Sequence, residues 1–201
     1  MVVEGLDRSG KSSQCQRLLR QLQADGAAAE GVKFPDRTTP IGRMIDAYLH
    51  SRSDLDDRAI HLLFSANRWE LASAMRAKIE AGVTLVVDRY VYSGAAFSCA
   101  KGLPLEWCMS CDVGLPRPDL VLFLDISEHA AAARASYGEE RYETLDLQRK
   151  VASVFARVRN TSRESWQAVD ASLDMDTVTQ CTLAAVRNAM GRVRGPMGAL
   201  T

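Results

Sequence analysis

The chain has 201 residues and a mass of 22.1 kDa, a length that one domain accounts for. Hydrophobic residues make up 47% of it and charged residues 25%, which excludes a wholly disordered chain. Lys+Arg and Asp+Glu both total 25, and this zero formal charge argues against nucleic acid or an acidic membrane surface as a partner.

Short apolar runs alternate with longer amphipathic stretches, a pattern typical of βαβ units around a parallel sheet. We predict five strands, at Met1–Glu4, Val32–Pro35, Thr84–Asp88, Asp119–Asp125 and Trp166–Asp170. Helical patterns fill the intervals, at Lys11–Asp25, Ile41–Ser51, Leu55–Ala81, Glu128–Ala135, Leu145–Asn160 and Met175–Arg192. The predicted fold class is α/β, a five-stranded parallel sheet with helices on both faces.

The first predicted strand is short, because only about three residues precede Gly5 where a central strand has about five or six. Residues missing before Met1 and an unusually brief strand explain this equally well. At the other end, residues 192–201 contain two glycines and a proline, which predicts a frayed tail.

The sequence shows no signal peptide, and no apolar run approaches the roughly 20 residues of a membrane helix. Its five cysteines, an odd number, favour a reduced protein over a disulfide scaffold. We therefore expect a cytoplasmic protein, with nuclear and mitochondrial pools left open.

The strongest local signal is the segment from Gly5 to Ser12, which matches G-x-x-x-x-G-K-[ST] directly after the first strand. In such a phosphate-binding loop, Gly5 and Gly10 let backbone N–H groups point at phosphate oxygens, and the next helix adds its N-terminal dipole. Lys11 would place a charge on the outer phosphates, and the Ser12 hydroxyl would ligate magnesium. The motif predicts the fold of the P-loop nucleoside triphosphatases.

Two later strands end in aspartate, at Asp88 and Asp125. Ligands of open α/β sheets gather at the carboxyl ends of the strands, so either acid could hold the water shell of the metal. Asp88, which Arg89 follows, is our metal-side candidate. For Asp125, with Ser127 shortly after it, a helix N-cap is the better interpretation.

Arginine supplies 20 of the 25 cations, and its guanidinium suits bidentate phosphate contacts. Arg8 lies in the phosphate loop, Arg37 follows the second strand and Arg89 ends the third. Because these strand ends converge, at least three cations should face one small volume, more than a single nucleoside triphosphate needs. This favours two phosphate-bearing substrates, a donor and an acceptor, while surface salt bridges explain most other arginines.

Phe64 and Arg68 lie four residues apart in a predicted helix and so share one face. An aromatic ring beside a guanidinium suits a nucleobase, since the ring stacks and the guanidinium donates to the carbonyl edge. By spacing alone, however, Phe64 is more often a core residue, and spacing leaves both hypotheses open.

Several further motifs, in order, resemble those of the thymidylate kinases of the eukaryotic type, over nearly the whole chain from Glu4 to Ser172. They are Phe34-Pro35-Asp36-Arg37, Leu63-Phe64-Ser65-Ala66-Asn67-Arg68-Trp69, Asp88-Arg89-Tyr90, Ser93-Gly94-Ala95-Ala96-Phe97, Gly114-Leu115-Pro116-Arg117-Pro118-Asp119 and Glu140-Arg141-Tyr142-Glu143. The resemblance implies transfer of the γ-phosphoryl group of Mg-ATP to thymidine monophosphate (dTMP), which gives dTDP and ADP in dTTP synthesis. It also implies one nucleoside monophosphate kinase domain over residues 1–201, a small mobile lid at about 134–148 and a homodimer.

The resemblance further assigns roles to individual residues. Catalysis would fall to Arg8, Lys11, Asp88 and Arg89, with Arg8 bridging donor and acceptor phosphates and Ser12 and Asp88 on the Mg²⁺ side. ATP would be bound by Gly5, Arg8, Ser9, Gly10, Lys11, Ser12, Ser13, Arg134 and Ala171. The dTMP acceptor would be bound by Asp7, Phe34, Pro35, Arg37, Leu49, Phe64, Arg68, Arg89, Ser93, Gly94, Phe97, Tyr142 and Gln148.

One departure from the family pattern lies in the lid, where Ala135 replaces a glycine of many relatives and leaves Gly138 as the lone lid glycine.

Two alternatives to a thymidylate kinase are a kinase for a different monophosphate, with deoxyuridylate (dUMP) as a second acceptor, and a P-loop switch protein. Guanine-specific switches carry Asn-Lys-x-Asp near the base, and that tetrapeptide does not occur here.

Overall fold

A computed structural model describes residues 1–134, 138, 140–192 and 197–201. Its strands are β1 (Val2–Gly5), β2 (Ala29–Lys33), β3 (Thr84–Asp88), β4 (Val121–Asp125) and β5 (Trp166–Asp170). Its helices are α1 (Lys11–Ala24), α2 (Pro40–Leu49), α3 (Asp57–Glu80), α4 (Val91–Ala100), α5 (Leu105–Ser110), α6 (Glu128–Ala132), α7 (Leu145–Thr161) and α8 (Met175–Met190).

The five strands form one parallel sheet in the order β2-β3-β1-β4-β5, which confirms the predicted fold class. The short β1 is central, and all four of its residues pair with β4, from Val2 opposite Val121 to Gly5 opposite Leu124. On its other side, Val3 pairs with Asp88. This register brings the phosphate loop after Gly5 and the carboxylate of Asp88 to the same edge of the sheet.

The sheet separates two hydrophobic cores, because alternate side chains of a strand point to opposite faces. Val2 packs into the core beneath α2, α3, α4 and α7, whereas Val3 packs into the core beneath α1 and α8. Both side chains are almost completely buried. The helices on the two faces thus hold the carboxyl edge of the sheet in place.

Helices α4 and α5 were not predicted. The α4 sequence is apolar nearly all round, with residues such as Val91 and Ala95 fully buried, so it lacks the alternation of polar and apolar faces that marks an amphipathic helix. Helix α5 has only six residues, too few for a periodic pattern. Strand β2 begins earlier than predicted and ends before the cis Phe34–Pro35 peptide bond.

The prediction of a frayed tail is wrong for residues 197–201, while residues 193–196 lie outside the described part. Leu200 is buried in the core on the α3 side of the sheet, where its side chain is removed from water. Its backbone N–H donates to the carbonyl of Leu115 at 2.9 Å, and its carbonyl accepts from the N–H of Gly114 at 2.9 Å. These contacts anchor the C-terminal segment to the loop that precedes β4.

Among the described residues, every helix is too short or too polar to cross a lipid bilayer.

Candidate functional site

A cavity of about 820 Å³ opens at the carboxyl edge of the sheet. Its walls come from the phosphate loop, the ends of β2 and β3, helices α3 and α4, and the loop between β5 and α8. The segment 134–148 (the lid) contributes Arg134, Glu140, Tyr142 and Glu143. All of the site residues predicted above line this cavity except Gly5, Asp88 and Gln148. Those three lie directly behind the lining residues, and their contacts are described below.

The phosphate loop is shaped by its two glycines. A Cβ on Gly5 would lie 2.7 Å from the carbonyl oxygen of Leu124, and Gly10 has a φ of 96°, so both positions require glycine. The Lys11 ammonium donates to the carbonyls of Gly5, at 3.1 Å, and Leu6, at 2.5 Å. Burial, reinforced by the nearby Arg89 cation, lowers the pKa of Lys11 to about 7.

Ser12 and Asp88 meet beside this loop. The Ser12 hydroxyl donates to Asp88 Oδ2 at 2.5 Å, and Asp88 Oδ1 is buried without a hydrogen-bond partner among the described residues. Lys33, which the sequence analysis missed, lies 3.2 Å from Ser12 Oγ and 3.7 Å from Asp88 Oδ2. A buried carboxylate oxygen without a partner beside a hydroxyl fits a hard divalent cation such as Mg²⁺.

Arg8 connects the phosphate loop to the lid. Its Nε donates to Glu143 Oε1 at 2.7 Å and its Nη2 donates to Oε2 at 3.2 Å. The same Glu143 carboxylate accepts the backbone N–H groups of Gly138 and Glu140. Residues 135–137 and 139 of the lid, and with them the departure at Ala135, lie outside the described residues.

Two more arginines lie where β2 and β3 end. Arg89 forms an ion pair with Asp7, whose other carboxylate oxygen accepts from Gln148 Nε2 at 2.7 Å. Burial alone would raise the pKa of Asp7, but the Arg89 cation lowers it below its ordinary value. Arg37 donates to Asp46 at 2.8 Å and to Glu140 at 2.7 Å.

The far end of the cavity is largely aromatic. The rings of Phe97 and Tyr142 stack with centroids 5.4 Å apart, and the ring of Phe64 is half-buried and faces the same space. Phe64 is therefore not a sealed core residue, although its ring also packs against the core. Leu49, Phe34, Pro35, Arg68, Ser93 and Gly94 complete this end.

Beside the phosphate loop, Arg134 closes the opposite end. Its Nη1 donates to the carbonyl of Arg8 at 2.8 Å and its Nη2 donates to the carbonyl of Ala171 at 2.6 Å. The apolar side chains of Leu173 and Met175, both about half exposed, extend this wall and were not predicted. They follow β5, and nothing in their sequence distinguishes them from other exposed apolar residues.

The N-cap proposed for Asp125 is wrong. Asp125 is the exposed last residue of β4, and the helix that follows is capped by Ser127, whose hydroxyl accepts from the N–H of Ala130. Serine two residues later was the better cap because its side chain, not that of Asp125, reaches the free N–H groups of the first turn.

The family model described as thymidylate kinase matches residues 3–181 of the chain. A thymidylate kinase from Danio rerio is 51% identical over 89% of this chain and 84% of its own length. The human thymidylate kinase is 46% identical over the same shares, 89% and 84%. The solved structure of thymidylate kinase from Candida albicans superposes with a TM-score of 0.89 at 34% identity, covering 100% of this chain and 96% of that one.

Proposed function

The chain belongs to the thymidylate kinase family, and we propose that it makes dTDP and ADP from Mg-ATP and dTMP within the cavity described above. The observation that carries this proposal is one continuous cavity with a phosphate loop at one end and the Phe64 and Arg68 pair at the other. Such a space accepts two nucleotides whose phosphates meet in the middle.

ATP would lie along the phosphate loop. Backbone N–H groups around Gly10 and the N-terminus of α1 would receive its phosphates, and Lys11 would place a cation on the outer ones. Arg134, held between the carbonyls of Arg8 and Ala171, would stack on the adenine. Leu173 and Met175 supply the apolar surface next to it.

The acceptor dTMP would lie between α3 and α4. Phe64 would stack on the thymine and Arg68 would donate to its carbonyl edge, with Phe97 and Tyr142 closing the opposite wall. Arg37 and Arg89 would hold its phosphate, and these same arginines contact carboxylates here. Asp7, oriented by Gln148 and Arg89, would accept from the sugar hydroxyl.

Ser12 and Asp88 would hold Mg²⁺, directly or through its water shell. Ser12 Oγ and Asp88 Oδ2 are adjacent, and Asp88 Oδ1 is buried without a hydrogen-bond partner in the described part of the chain. When bound, Mg²⁺ would neutralise charge on the donor phosphates. Lys33 stands 3.7 Å from Asp88 and would have to give way as the cation binds.

Phosphoryl transfer needs little covalent help, so the residues act by position and charge. Arg8 lines the cavity, with its carbonyl bonded to Arg134 and its guanidinium to Glu143. There its guanidinium would bridge the donor and acceptor phosphates and stabilise charge that develops on the transferred group. Glu143 holds that guanidinium in place through two hydrogen bonds. Arg8 is therefore in direct contact with a lid residue, Glu143.

The test is a coupled assay of ADP release with ATP and a panel of monophosphates that includes dTMP and dUMP. We expect dTMP to be the best acceptor. ADP release with another monophosphate, but none above background with dTMP, would overturn the proposal. The ratio of dUMP to dTMP turnover would also define the selectivity for the 5-methyl group.

We further propose a cytoplasmic homodimer. Helices α2 and α3 expose the large apolar side chains Met44, Leu62 and Trp69, which a second copy would cover. The five cysteines are all free, as in a reducing compartment. Sedimentation velocity at micromolar concentration is expected to give about twice the monomer mass, and a monomer would contradict the dimer.

A further inference from the structure

The base end of the cavity is backed by a buried ion pair between Arg68 and Asp112. Arg68 Nε lies 3.0 Å from Asp112 Oδ1, and Nη2 lies 2.6 Å from Oδ2, which makes the contact bidentate. The side chains are 3% and 1% exposed, so neither charge reaches bulk water. A planar guanidinium held at two points has one orientation.

Asp112 is itself fixed by helix α3. The Ser65 hydroxyl, which has one proton to donate, lies 2.8 Å from Asp112 Oδ1 and 2.9 Å from the carbonyl of Cys111, both acceptors. The Trp69 indole N–H donates to that same carbonyl at 3.0 Å. One face of α3 therefore carries both Arg68 and the two side chains that hold the acid in front of it.

This arrangement commits two of the three guanidinium nitrogens of Arg68. Within the described ranges Nη1 has no hydrogen-bond partner, which leaves it for a ligand in the cavity. Gly94 lies against this group, because a Cβ there would come within 2.9 Å of both Nη1 and Nη2. Phe64 and Phe97 border the same space. Since arginine only donates hydrogen bonds, an atom facing Nη1 has to be an acceptor.

We propose that Asp112 is a positioning residue that sets base specificity, by locking Arg68 so that a fixed donor faces the substituent at position 4 of the pyrimidine. This inference rests on the proposed role of Arg68 toward dTMP. Thymine and uracil carry a carbonyl oxygen there and satisfy the donor, whereas cytosine carries an amino group that cannot accept. Without Asp112 the guanidinium of Arg68 would be free to rotate, so the donor would no longer face position 4 and cytosine would be rejected less strictly.

The test is Asp112→Asn in the full-length enzyme, a nearly isosteric change that removes the charge and one acceptor. We expect the KM for dTMP to rise about 10- to 100-fold, the range for losing hydrogen bonds to a charged group. Turnover at saturating dTMP and the Kd for ATP should change less than about twofold. The preference for dTMP over dCMP, as a ratio of kcat/KM, should fall at least about tenfold.

Ser65→Ala removes a hydrogen bond to Asp112 but keeps the acid. It should raise the KM for dTMP and lower the preference for dTMP over dCMP by smaller factors than Asp112→Asn. If Asp112→Asn fails to fold, Ser65→Ala provides the test. Thr182→Val is the matched control, because this buried hydroxyl bonds to the Thr179 carbonyl in α8, on the far face of the sheet. Thr182→Val should leave the KM for dTMP and the preference for dTMP over dCMP at wild-type values.

Two outcomes would overturn the inference: a wild-type KM and preference in the folded Asp112 variant, or an equal loss of affinity for ATP and dTMP, which marks a general structural defect. Arg68→Lys separates this inference from the proposed function. If Arg68→Lys leaves dTMP binding unchanged, the role of Arg68 toward the base is wrong. If it weakens dTMP binding while Asp112→Asn does not, only the role of Asp112 is wrong.

Discussion

Replacing Phe64 by alanine tests the acceptor end of the cavity. The ring is half-buried and faces the cavity, so its removal opens no sealed void. We therefore expect a smaller loss of stability than the about 3–5 kcal/mol typical of a fully buried phenylalanine such as Phe155. Stacking of one base on an aromatic side chain contributes about 1–3 kcal/mol, which corresponds to roughly a 5- to 150-fold increase in the Kd for dTMP.

The assay is isothermal titration calorimetry with dTMP and, separately, with ATP. Phe64→Leu is the matched variant, because it keeps apolar bulk and loses only the flat ring, and its Kd for dTMP should fall between those of wild type and Phe64→Ala. The Kd for ATP should stay unchanged in both variants. An unchanged Kd for dTMP in Phe64→Ala would refute the stacking role, and a parallel loss for ATP would point to a disturbed fold instead.

Four further substitutions, at three positions, test other parts of the molecule. Arg8→Ala should lower kcat by about 10³-fold or more with little change in the KM for dTMP, and wild-type turnover would exclude the bridging role. Arg8 has a φ of 60°, a backbone conformation that glycine adopts more easily than alanine. In urea titrations the free energy of unfolding of Arg8→Gly should therefore be about 1 kcal/mol higher than that of Arg8→Ala, while both variants are equally inactive. Equal stability would show that the backbone there is unstrained. Asp88→Asn should raise the Mg²⁺ concentration needed for half-maximal turnover, and an unchanged requirement would remove Asp88 from the metal site. Leu200→Ala should lower the free energy of unfolding by about 2–5 kcal/mol, measured by urea denaturation, and no change would mean that the C-terminal segment does not stabilise the core.

The sequence predicts the parts of this protein that depend on local pattern. Strands β1, β3 and β4 are recognisable as short apolar runs, and the phosphate loop is recognisable from the fixed spacing of Gly5, Gly10 and Lys11. Helix α4 escaped prediction because burial on all sides removes the polar face that makes a helix recognisable. The tail was mistaken for a frayed one because the partner of Leu200, the loop at 114–117, lies more than eighty residues away in the chain.

Site residues were missed where their meaning depends on a distant partner. Asp112 follows a short helix and resembles any loop acid until the fold brings it to Arg68, 44 residues earlier. Lys33 is likewise an ordinary strand-end lysine until it meets Ser12 and Asp88. Sequence spacing within one helix related Phe64 to Arg68, but spacing carries no information about contacts between elements.

Positive and negative charges are paired within the site. Each arginine of the acceptor region is matched by a carboxylate from another element, and the pairs are Arg8 with Glu143, Arg37 with Asp46 and Glu140, Arg89 with Asp7, and Arg68 with Asp112. The first three arginines keep 23–37% of their side-chain surface exposed, so an arriving phosphate can share or replace their carboxylates at little cost. Arg68 keeps only 3%, and breaking its sealed pair would leave two buried charges unpaired. The exposed fraction of the side chain thus separates the arginines by role. Arg8, Arg37 and Arg89 can exchange a carboxylate for a phosphate, which suits the binding and release of nucleotides. Arg68 keeps its partner and its orientation, which suits recognition of a base.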